Sequence, residues 1–375
     1  MKKIAITTVI FLIIGTTVAR TIQKFPHTKS LLKYGKSDID DYKIFVNDTI
    51  KAGNIIDWQY DKNHAQKQIP DSLLKIANGY KTKAYVIIQN DKIIFENYYD
   101  NYTGDSLINS FSAAKTIVSL LMGCAIDRGY IDSINQPVET ILKRYAGTKL
   151  TIYNLLSMSS GSNWSEQFLN PFSDVVTAYY TDNLLEKRNA IQITETPGLY
   201  WSYQCGNTLL LAEILETATG KKLDKLTQEW LWQPLGSEHS ALWSTDTAHV
   251  TKSFCCFFAT ARDFARLGYL ILNEGFAFNK YILNPDYIKQ MTKPASLLHK
   301  TDNITMNAYG MHIWIMYYKG YTIPYARGMW GQYIFIIPEK NAVVVRLGEK
   351  RTEKMINYTP EDAYTYIDIA LRLLD

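Results

Sequence analysis

The chain has few cysteines, four among 375 residues, and they fit no metal-binding or redox pattern. Cys124, Cys205, Cys255 and Cys256 contain no Cys-x-x-Cys unit and no zinc spacing. Neighbouring cysteines in a chain rarely reach disulfide geometry, so Cys255 and Cys256 are not expected to pair with each other. We therefore predict four small, buried, unpaired side chains rather than a metal centre or a disulfide framework.

A strong excess of one charge is also missing, since 40 lysines and arginines stand against 36 aspartates and glutamates. No basic stripe interleaved with aromatic residues is present, so nucleic acid is not an expected partner. The six histidines form no His-Glu-x-x-His motif, and the chain has no Gly-x-Ser-x-Gly motif. This argues against a catalytic metal and a Ser-His-Asp triad, and no cofactor is expected.

The only apolar run that approaches the length of a membrane span lies at the N-terminus. Lys2 and Lys3 precede an apolar run over 4–18, and a small-x-small site follows at 17–19. This order is typical of a secretory signal peptide, which we predict over residues 1–19. An uncleaved membrane anchor is the alternative. The protein is expected to be exported, periplasmic or secreted, and its oligomeric state stays open.

The remaining chain predicts one principal domain. Residues 20–80 are predicted to form a peripheral extension, and two strand-like runs around Asn90-Asp91 a hairpin. Residues 131–300 are mostly helical in pattern, whereas the last third is again strand-like. We predict an α/β (α+β) fold over 81–375, in which an antiparallel sheet built from both chain ends is flanked by helices. The helical insertion would pack beside it and leave a cleft.

Three segments have the pattern Ser-x-x-Lys, at 30–33, 72–75 and 112–115. The first two lie in polar, lysine-rich sequence. The third opens a long apolar run that predicts a buried helix, with Ser112 in its first turn and Lys115 on the same face. A serine hydroxyl needs a base to become a nucleophile. Lysine can act as this base only when its amine is uncharged, and burial favours the uncharged form. We therefore select the third segment, because its lysine is predicted to be buried.

The sequence around this pair resembles the serine β-lactamase and penicillin-binding-protein superfamily. The segment 110–115 (SFSAAK) is similar to its first motif, and the segments 151–161, 197–220, 254–275 and 327–348 follow in the same order. The resemblance covers about 80–350 and points to the class C-like esterases and amidases that include 6-aminohexanoate-dimer hydrolases. It implies a β-lactamase-like fold and a serine hydrolase.

The resemblance also implies roles for individual residues. Ser112 would be the acylated nucleophile, Lys115 its base, and Tyr203 a proton relay to the leaving group. The backbone N–H groups of Ser112 and Met329 would form the oxyanion hole. The residues expected to contact substrate are Glu166, Cys205, Arg327, Gly328 and Trp330.

Two motifs depart from the superfamily pattern. The usual Tyr-x-Asn is Tyr203-Gln204-Cys205, and a thiol orients an amide poorly. The usual Lys-Thr-Gly is Ala326-Arg327-Gly328. The Arg327 side chain is expected to point away from the cleft, because side chains alternate along a strand. Both departures favour a carboxylic ester or a simple amide over a β-lactam or peptidoglycan.

Two alternatives remain open. One is a β-lactamase or D-Ala carboxypeptidase, and the other is a non-catalytic binding or sensing domain of the same fold. Glu166 has two candidate roles as well, as a carboxylate in the cleft or as a residue that stabilises its own loop.

Overall fold

The strands near the two ends of the chain meet in one sheet, as the sequence predicts. The computed structural model describes residues 23–374, so the predicted signal peptide lies outside the described residues. The helices are α1 His27–Tyr34, α2 Asp71–Gly79, α3 Ala114–Asp127, α4 Ile152–Leu156, α5 Asp174–Tyr180, α6 Leu184–Asn189, α7 Cys205–Thr219, α8 Leu223–Thr227, α9 Ala261–Leu272, α10 Pro285–Met291 and α11 Glu361–Leu373. The strands are β1 Val46–Ile50, β2 Gln59–Tyr60, β3 Thr82–Gln89, β4 Lys92–Tyr98, β5 Ile108–Asn109, β6 Tyr200–Trp201, β7 Ala241–Thr245, β8 Phe257–Ala259, β9 Phe276–Ala277, β10 Lys280–Tyr281, β11 Leu297–His299, β12 Thr305–Met306, β13 Trp314–Tyr318, β14 Tyr321–Gly328, β15 Gln332–Ile337, β16 Ala342–Gly348, β17 Met355–Ile356 and β18 Thr359–Pro360.

The main sheet has seven strands in the order β13-β14-β15-β16-β3-β4-β2. Its two halves join where β16 pairs antiparallel with β3, in a register that places Ala342 opposite Gln89. The β3–β4 pair is the hairpin predicted around Asn90-Asp91. Only the short edge strand β2 runs parallel to its neighbour, β4, among the described strands of this sheet. The predicted fold class is confirmed.

Helices cover both faces of this sheet, because its central strands are apolar on both sides. Val343 and Val345 of β16 belong to the core that also contains Phe264 and Leu267 of α9. Val344, between them, faces the opposite core, which contains Tyr366 of α11. The alternation of side chains along a strand thus divides the domain into two apolar layers.

Helix α3 lies inside the larger core. Every residue from Ala114 to Ala125 is buried, which confirms the predicted buried helix. Ser112 lies one step earlier than predicted, in the 3-10 turn Phe111–Ala113 that leads into the helix. Among residues 23–374 no helix is both long and apolar enough to cross a membrane.

A second sheet joins the middle of the chain to the N-terminal segment. Strands β7 and β8 lie within the segment expected to be mostly helical, and with β1 and β5 they form a four-stranded sheet in the order β1-β7-β8-β5. Strand β1 comes from the predicted extension, and Ile39, Ile50 and Trp58 of that segment are buried in the larger core. The extension therefore packs into the domain, because the segment carries enough apolar side chains to join the core. The boundaries of the predicted domains stay predictions.

Cys255 and Cys256 form a disulfide, so the prediction that they stay apart is wrong. In an extended chain successive side chains point in opposite directions. Here Cys256 has a φ of 63°, and the chain turns between Phe254 and β8. Cys124 and Cys205 are buried and unpaired, as predicted.

Candidate active site

Ser112 is held by a constrained turn at the entrance to α3. Phe111, just before it, has a φ of 45°, which is uncommon for a residue other than glycine. Its N–H donates to the Asn109 side chain at 2.8 Å, and the Ser110 N–H donates to the Phe257 carbonyl at 2.8 Å. These contacts anchor the turn to β5 and β8, and they fix the direction in which the Ser112 hydroxyl points.

Lys115 is buried, and its amine has three acceptors. Its Nζ donates to Ser112 Oγ at 3.1 Å, to Cys205 Sγ at 3.3 Å and to the Phe254 carbonyl at 2.9 Å. An ammonium group has three N–H donors, so this geometry suits the charged form. Burial lowers the pKa of Lys115, but its interactions with Cys205, Tyr203 and Glu166 outweigh burial and raise the pKa above its ordinary value. The expectation of an uncharged amine at rest is therefore wrong.

The counter-charge to Lys115 comes from Glu166, through Cys205. The Cys205 thiol donates to Glu166 Oε1 at 2.8 Å, while the Cys205 N–H and the Trp164 indole N–H donate to Oε2, each at 2.8 Å. Burial raises the pKa of Cys205 well above its usual value, so this side chain is a thiol near neutral pH. Burial also raises the pKa of Glu166, against the attraction of Lys115. A hydrogen-bonded chain thus runs from the serine hydroxyl to a buried carboxylate.

Glu166 also stabilises the local backbone. Cys205 is the first residue of α7, and a carboxylate that accepts its N–H lies at the positive end of the helix. The neighbouring Gln204 donates to the carbonyls of Ser162 and Trp164, each at 3.0 Å. These contacts support the role of Glu166 in its own loop, whereas the described residues that line the two spaces at Ser112 do not include it.

Tyr203 lies beside the serine and lysine pair. The Lys115 Nζ is 5.0 Å from the centre of its ring, which itself stacks on Trp314 at 5.7 Å between ring centres. Burial raises the pKa of Tyr203, against the charge of Lys115 and a hydrogen bond with Ser112. Serine, lysine and tyrosine thus converge as the sequence predicts.

The end of β14 approaches the serine turn closely enough to place Met329 next to Ser112. A Cβ added to Gly328 would lie 2.0 Å from the Ser110 carbonyl, so only glycine permits this approach. Met329 follows in the 3-10 turn Met329–Gly331, and it lines the same two spaces around Ser112 as Trp330 does. This is the neighbourhood in which an oxyanion hole is expected.

Arg327 lies in the cleft, which corrects the expected orientation of its side chain. Its guanidinium stacks 3.3 Å above the centre of the Trp314 ring and donates to the Tyr358 carbonyl at 2.6 Å. It lines the same space as Ser112 and Tyr203. The twisted end of β14 and the aromatic surface of Trp314 together turn the side chain toward the site.

The match to a known family covers most of the chain. The family model for beta-lactamase matches residues 75–361. The chain belongs to the beta-lactamase family. A curated relative, the 6-aminohexanoate-dimer hydrolase of Paenarthrobacter ureafaciens, is 22% identical over 284 residues, which cover 71% of this chain and 72% of that protein.

Solved structures of the beta-lactamase fold resemble the chain as well. A Bacillus anthracis protein provisionally named 6-aminohexanoate-dimer hydrolase superposes with a TM-score of 0.74 at 22% identity, covering 88% of this chain and 91% of that one. A family VIII carboxylesterase superposes with a TM-score of 0.65 at 15% identity, covering 84% and 99% of the two chains. At these identities the superpositions show the fold alone.

Several residues of this beta-lactamase-family site were not anticipated from sequence. Trp314 supports both Tyr203 and Arg327, and the Phe254 carbonyl holds Lys115. Arg346 is fully buried and donates to the carbonyls of Trp330 and Gly331, which fixes the turn that carries Met329. An arginine within the apolar strand AVVVRLG was the only signal for this last role. Within residues 23–374 no group of three or more His, Cys, Asp or Glu side chains is arranged to hold a metal ion.

Proposed function

We propose that this protein is a serine hydrolase that cleaves a carboxylic ester or a simple amide through an acyl-enzyme on Ser112. The observation that carries the proposal is the contact of 3.1 Å between the Ser112 hydroxyl and the buried amine of Lys115. Burial of a lysine beside a serine, a thiol and a tyrosine costs free energy. Such clusters of perturbed ionisable groups are typical of functional sites. The small-molecule substrate would enter the cleft, and the predicted leader would export the protein.

The proposed reaction has two halves. Lys115, after its ammonium group has released one proton to solvent, takes the proton of Ser112 while Oγ attacks the substrate carbonyl. The oxyanion that forms accepts hydrogen bonds from the backbone N–H groups of Ser112 and Met329. Tyr203 then donates its proton to the departing alcohol or amine as the bond to the acyl carbon breaks, and Lys115 passes the proton from Ser112 to Tyr203. In the second half Lys115 takes a proton from the water molecule that attacks the acyl-enzyme, and it gives this proton to Ser112 Oγ as the acid leaves.

Replacement of Ser112 tests the proposal directly. With p-nitrophenyl butyrate as substrate, Ser112→Ala is expected to lower kcat/KM at least about 10³-fold, because it removes the proposed nucleophile. Intact-mass spectrometry of the wild-type protein should show the acyl adduct, and peptide mapping should locate it at Ser112. Retained turnover in Ser112→Ala would contradict the proposal.

The second Ser-x-x-Lys segment supplies a matched control. Ser72 and Lys75 lie on the exposed face of α2, so Ser72→Ala should leave kcat/KM unchanged. Nitrocefin distinguishes the β-lactamase alternative, since the proposed esterase or amidase should leave it intact. A wild-type protein that neither turns over esters and amides nor acquires an adduct would favour the binding-domain alternative.

A further inference from the structure

Two spaces of different character meet at Ser112. The first is a cavity of about 280 Å³ that extends toward α1 and α5, and the second is a groove of about 490 Å³ that contains Arg327. Ser112 and Met329 line both spaces, so a carbonyl at the serine would project one substituent into each. Tyr203 lines the groove and not the cavity.

The position of Tyr203 decides which part of the substrate each space receives. Under the proposed function, on which this inference rests, Tyr203 gives a proton to the leaving group. The leaving alcohol or amine must therefore lie in the groove, and the acyl chain must enter the cavity. We propose that the protein is specific for substrates with an uncharged, apolar acyl chain of roughly six to eight carbons, which fits a cavity of this size.

The walls of the cavity are apolar. Val175 and Val176 of α5 line one side, and Leu31 of α1 lines another. Phe168 and Leu169 also line it, and both are exposed, Leu169 fully so. An apolar chain would bury these surfaces, and each buried methylene improves binding about threefold to fourfold.

The tyrosines of the cavity have their hydroxyl groups engaged elsewhere. The Tyr179 hydroxyl donates to Asp41, and the Tyr180 hydroxyl donates to the Gly35 carbonyl at 2.7 Å. The second bond also ties the end of α1 to α5. These rings therefore offer their apolar surfaces to the cavity, and the predicted N-terminal extension supplies part of the acyl site.

The described lining of the cavity has no carboxylate to neutralise a cation at the end of the acyl chain. None of the described residues that line it is Asp or Glu, whereas Lys36 is among them, 5.8 Å from the centre of the Trp330 ring. An ammonium group placed there would lose water without gaining a counter-charge, and Lys36 would repel it. The curated relative is named for a 6-aminohexanoate dimer, whose acyl part ends in an amine. This chain should disfavour such a group.

A matched pair of esters tests the charge preference. p-Nitrophenyl heptanoate and p-nitrophenyl 6-aminohexanoate have acyl chains of similar length that differ in the terminal methyl or ammonium group. We expect kcat/KM to favour the heptanoate at least about a hundredfold. In the series from acetate to octanoate, kcat/KM should rise about threefold per methylene up to hexanoate. A flat series, or equal turnover of the aminohexanoate, overturns the inference and leaves the proposed function standing.

A variant that narrows the cavity gives a second test. Val176→Phe should lower the ratio of kcat/KM for the heptanoate to kcat/KM for the acetate about tenfold or more. The matched control is Val46→Phe, since Val46 is exposed on β1 and does not line the cavity. An equal loss for both esters in Val176→Phe would contradict the assignment of the cavity.

Binding without turnover separates this inference from the proposed function. In Ser112→Ala, calorimetry should show tighter binding of the heptanoate ester than of the acetate or aminohexanoate ester. If the affinities of the three esters for Ser112→Ala do not follow this order, the inference is overturned, even when the wild-type protein turns over no ester. If wild-type protein turns over no ester or amide and Ser112 carries no adduct while the order is kept, the proposed function fails and the apolar site remains.

Discussion

Cys205 and Glu166 change the electrostatics of the serine and lysine pair. The thiol stands where an asparagine is usual in the family pattern, and its Sγ links Lys115 to the buried carboxylate. A carboxylate near the amine stabilises the ammonium form and delays its loss of a proton as pH rises. The protein would therefore reach full activity only at a pH above neutrality.

Glu166→Gln tests this consequence through the pH profile. Removal of the charge should lower the pKa of Lys115, so the rising limb of kcat/KM against pH should move to lower pH. The control is Glu229→Gln, because Glu229 is exposed and pairs with Lys221. An unchanged limb in an active Glu166→Gln protein would show that the carboxylate does not control the base.

Helix α9 illustrates how close packing positions whole elements around the site. It contacts the main sheet through Gly268, where an added Cβ would lie 2.6 Å from Val343 Cγ1 and 2.9 Å from Ile334 Cγ2. The absence of a side chain thus sets the distance between helix and sheet. Gly328 acts in the same way where β14 meets the serine turn.

Gly268→Ala is expected to destabilise the protein by up to about 2 kcal/mol. The alanine gains about 1 kcal/mol of helix propensity, but the clash with two buried β-branched side chains costs about 1–3 kcal/mol. Gly79→Ala is the matched control, since nothing lies within 4 Å of an added Cβ at that helical position. Chemical denaturation should show the control unchanged or stabilised by about 0.5 kcal/mol. Stabilisation by both substitutions would refute the packing argument.

At the scale of the whole molecule, one buried lysine, Lys252, contacts segments that are far apart in the chain. Lys252 donates to the carbonyls of Tyr179 at 2.7 Å and Ala178 at 3.3 Å, at the end of α5, and its amine lies 4.6 Å from the centre of the Phe45 ring. The amine of Lys252 thereby connects three parts of the chain. These are the segment between β7 and β8, helix α5 beside the cavity, and the N-terminal segment. Burial lowers the pKa of Lys252 from 10.5 to about 8, against the attraction of Asp246 and Asp182.

The titration of Lys252 should make the free energy of unfolding depend on pH between pH 8 and 10.5. In this range the unfolded chain keeps the Lys252 proton and the folded chain has released it, so the free energy of unfolding rises with pH. The free energy of unfolding of the wild type minus that of Lys252→Met should increase by up to about 3 kcal/mol across the range. Denaturation at several pH values measures it, and the exposed Lys92→Met should show no such trend. A constant difference for Lys252→Met would contradict the shifted pKa.

Local patterns in the sequence determined the site's reacting groups and the strands that support it. The spacing from Ser112 to Lys115, the apolar run after them and the hairpin at Asn90-Asp91 follow from helix and strand periodicity, which acts over a few residues. The resemblance of the later motif segments to the superfamily pattern located Tyr203 and Met329. The periodic features are short-range, so they can be predicted from the sequence.

Only the tertiary structure decided the charge and shape of the site. The raised pKa of Lys115 depends on Cys205, Tyr203 and Glu166, which are at least 51 positions away in the chain, and the turn of Arg327 into the cleft depends on Trp314. The cavity beside Ser112 has walls from α1 and α5, which a hydrogen bond from Tyr180 to Gly35 ties together. Electrostatic and packing energies depend on distances in space, and the folded chain sets these between residues that are far apart in sequence.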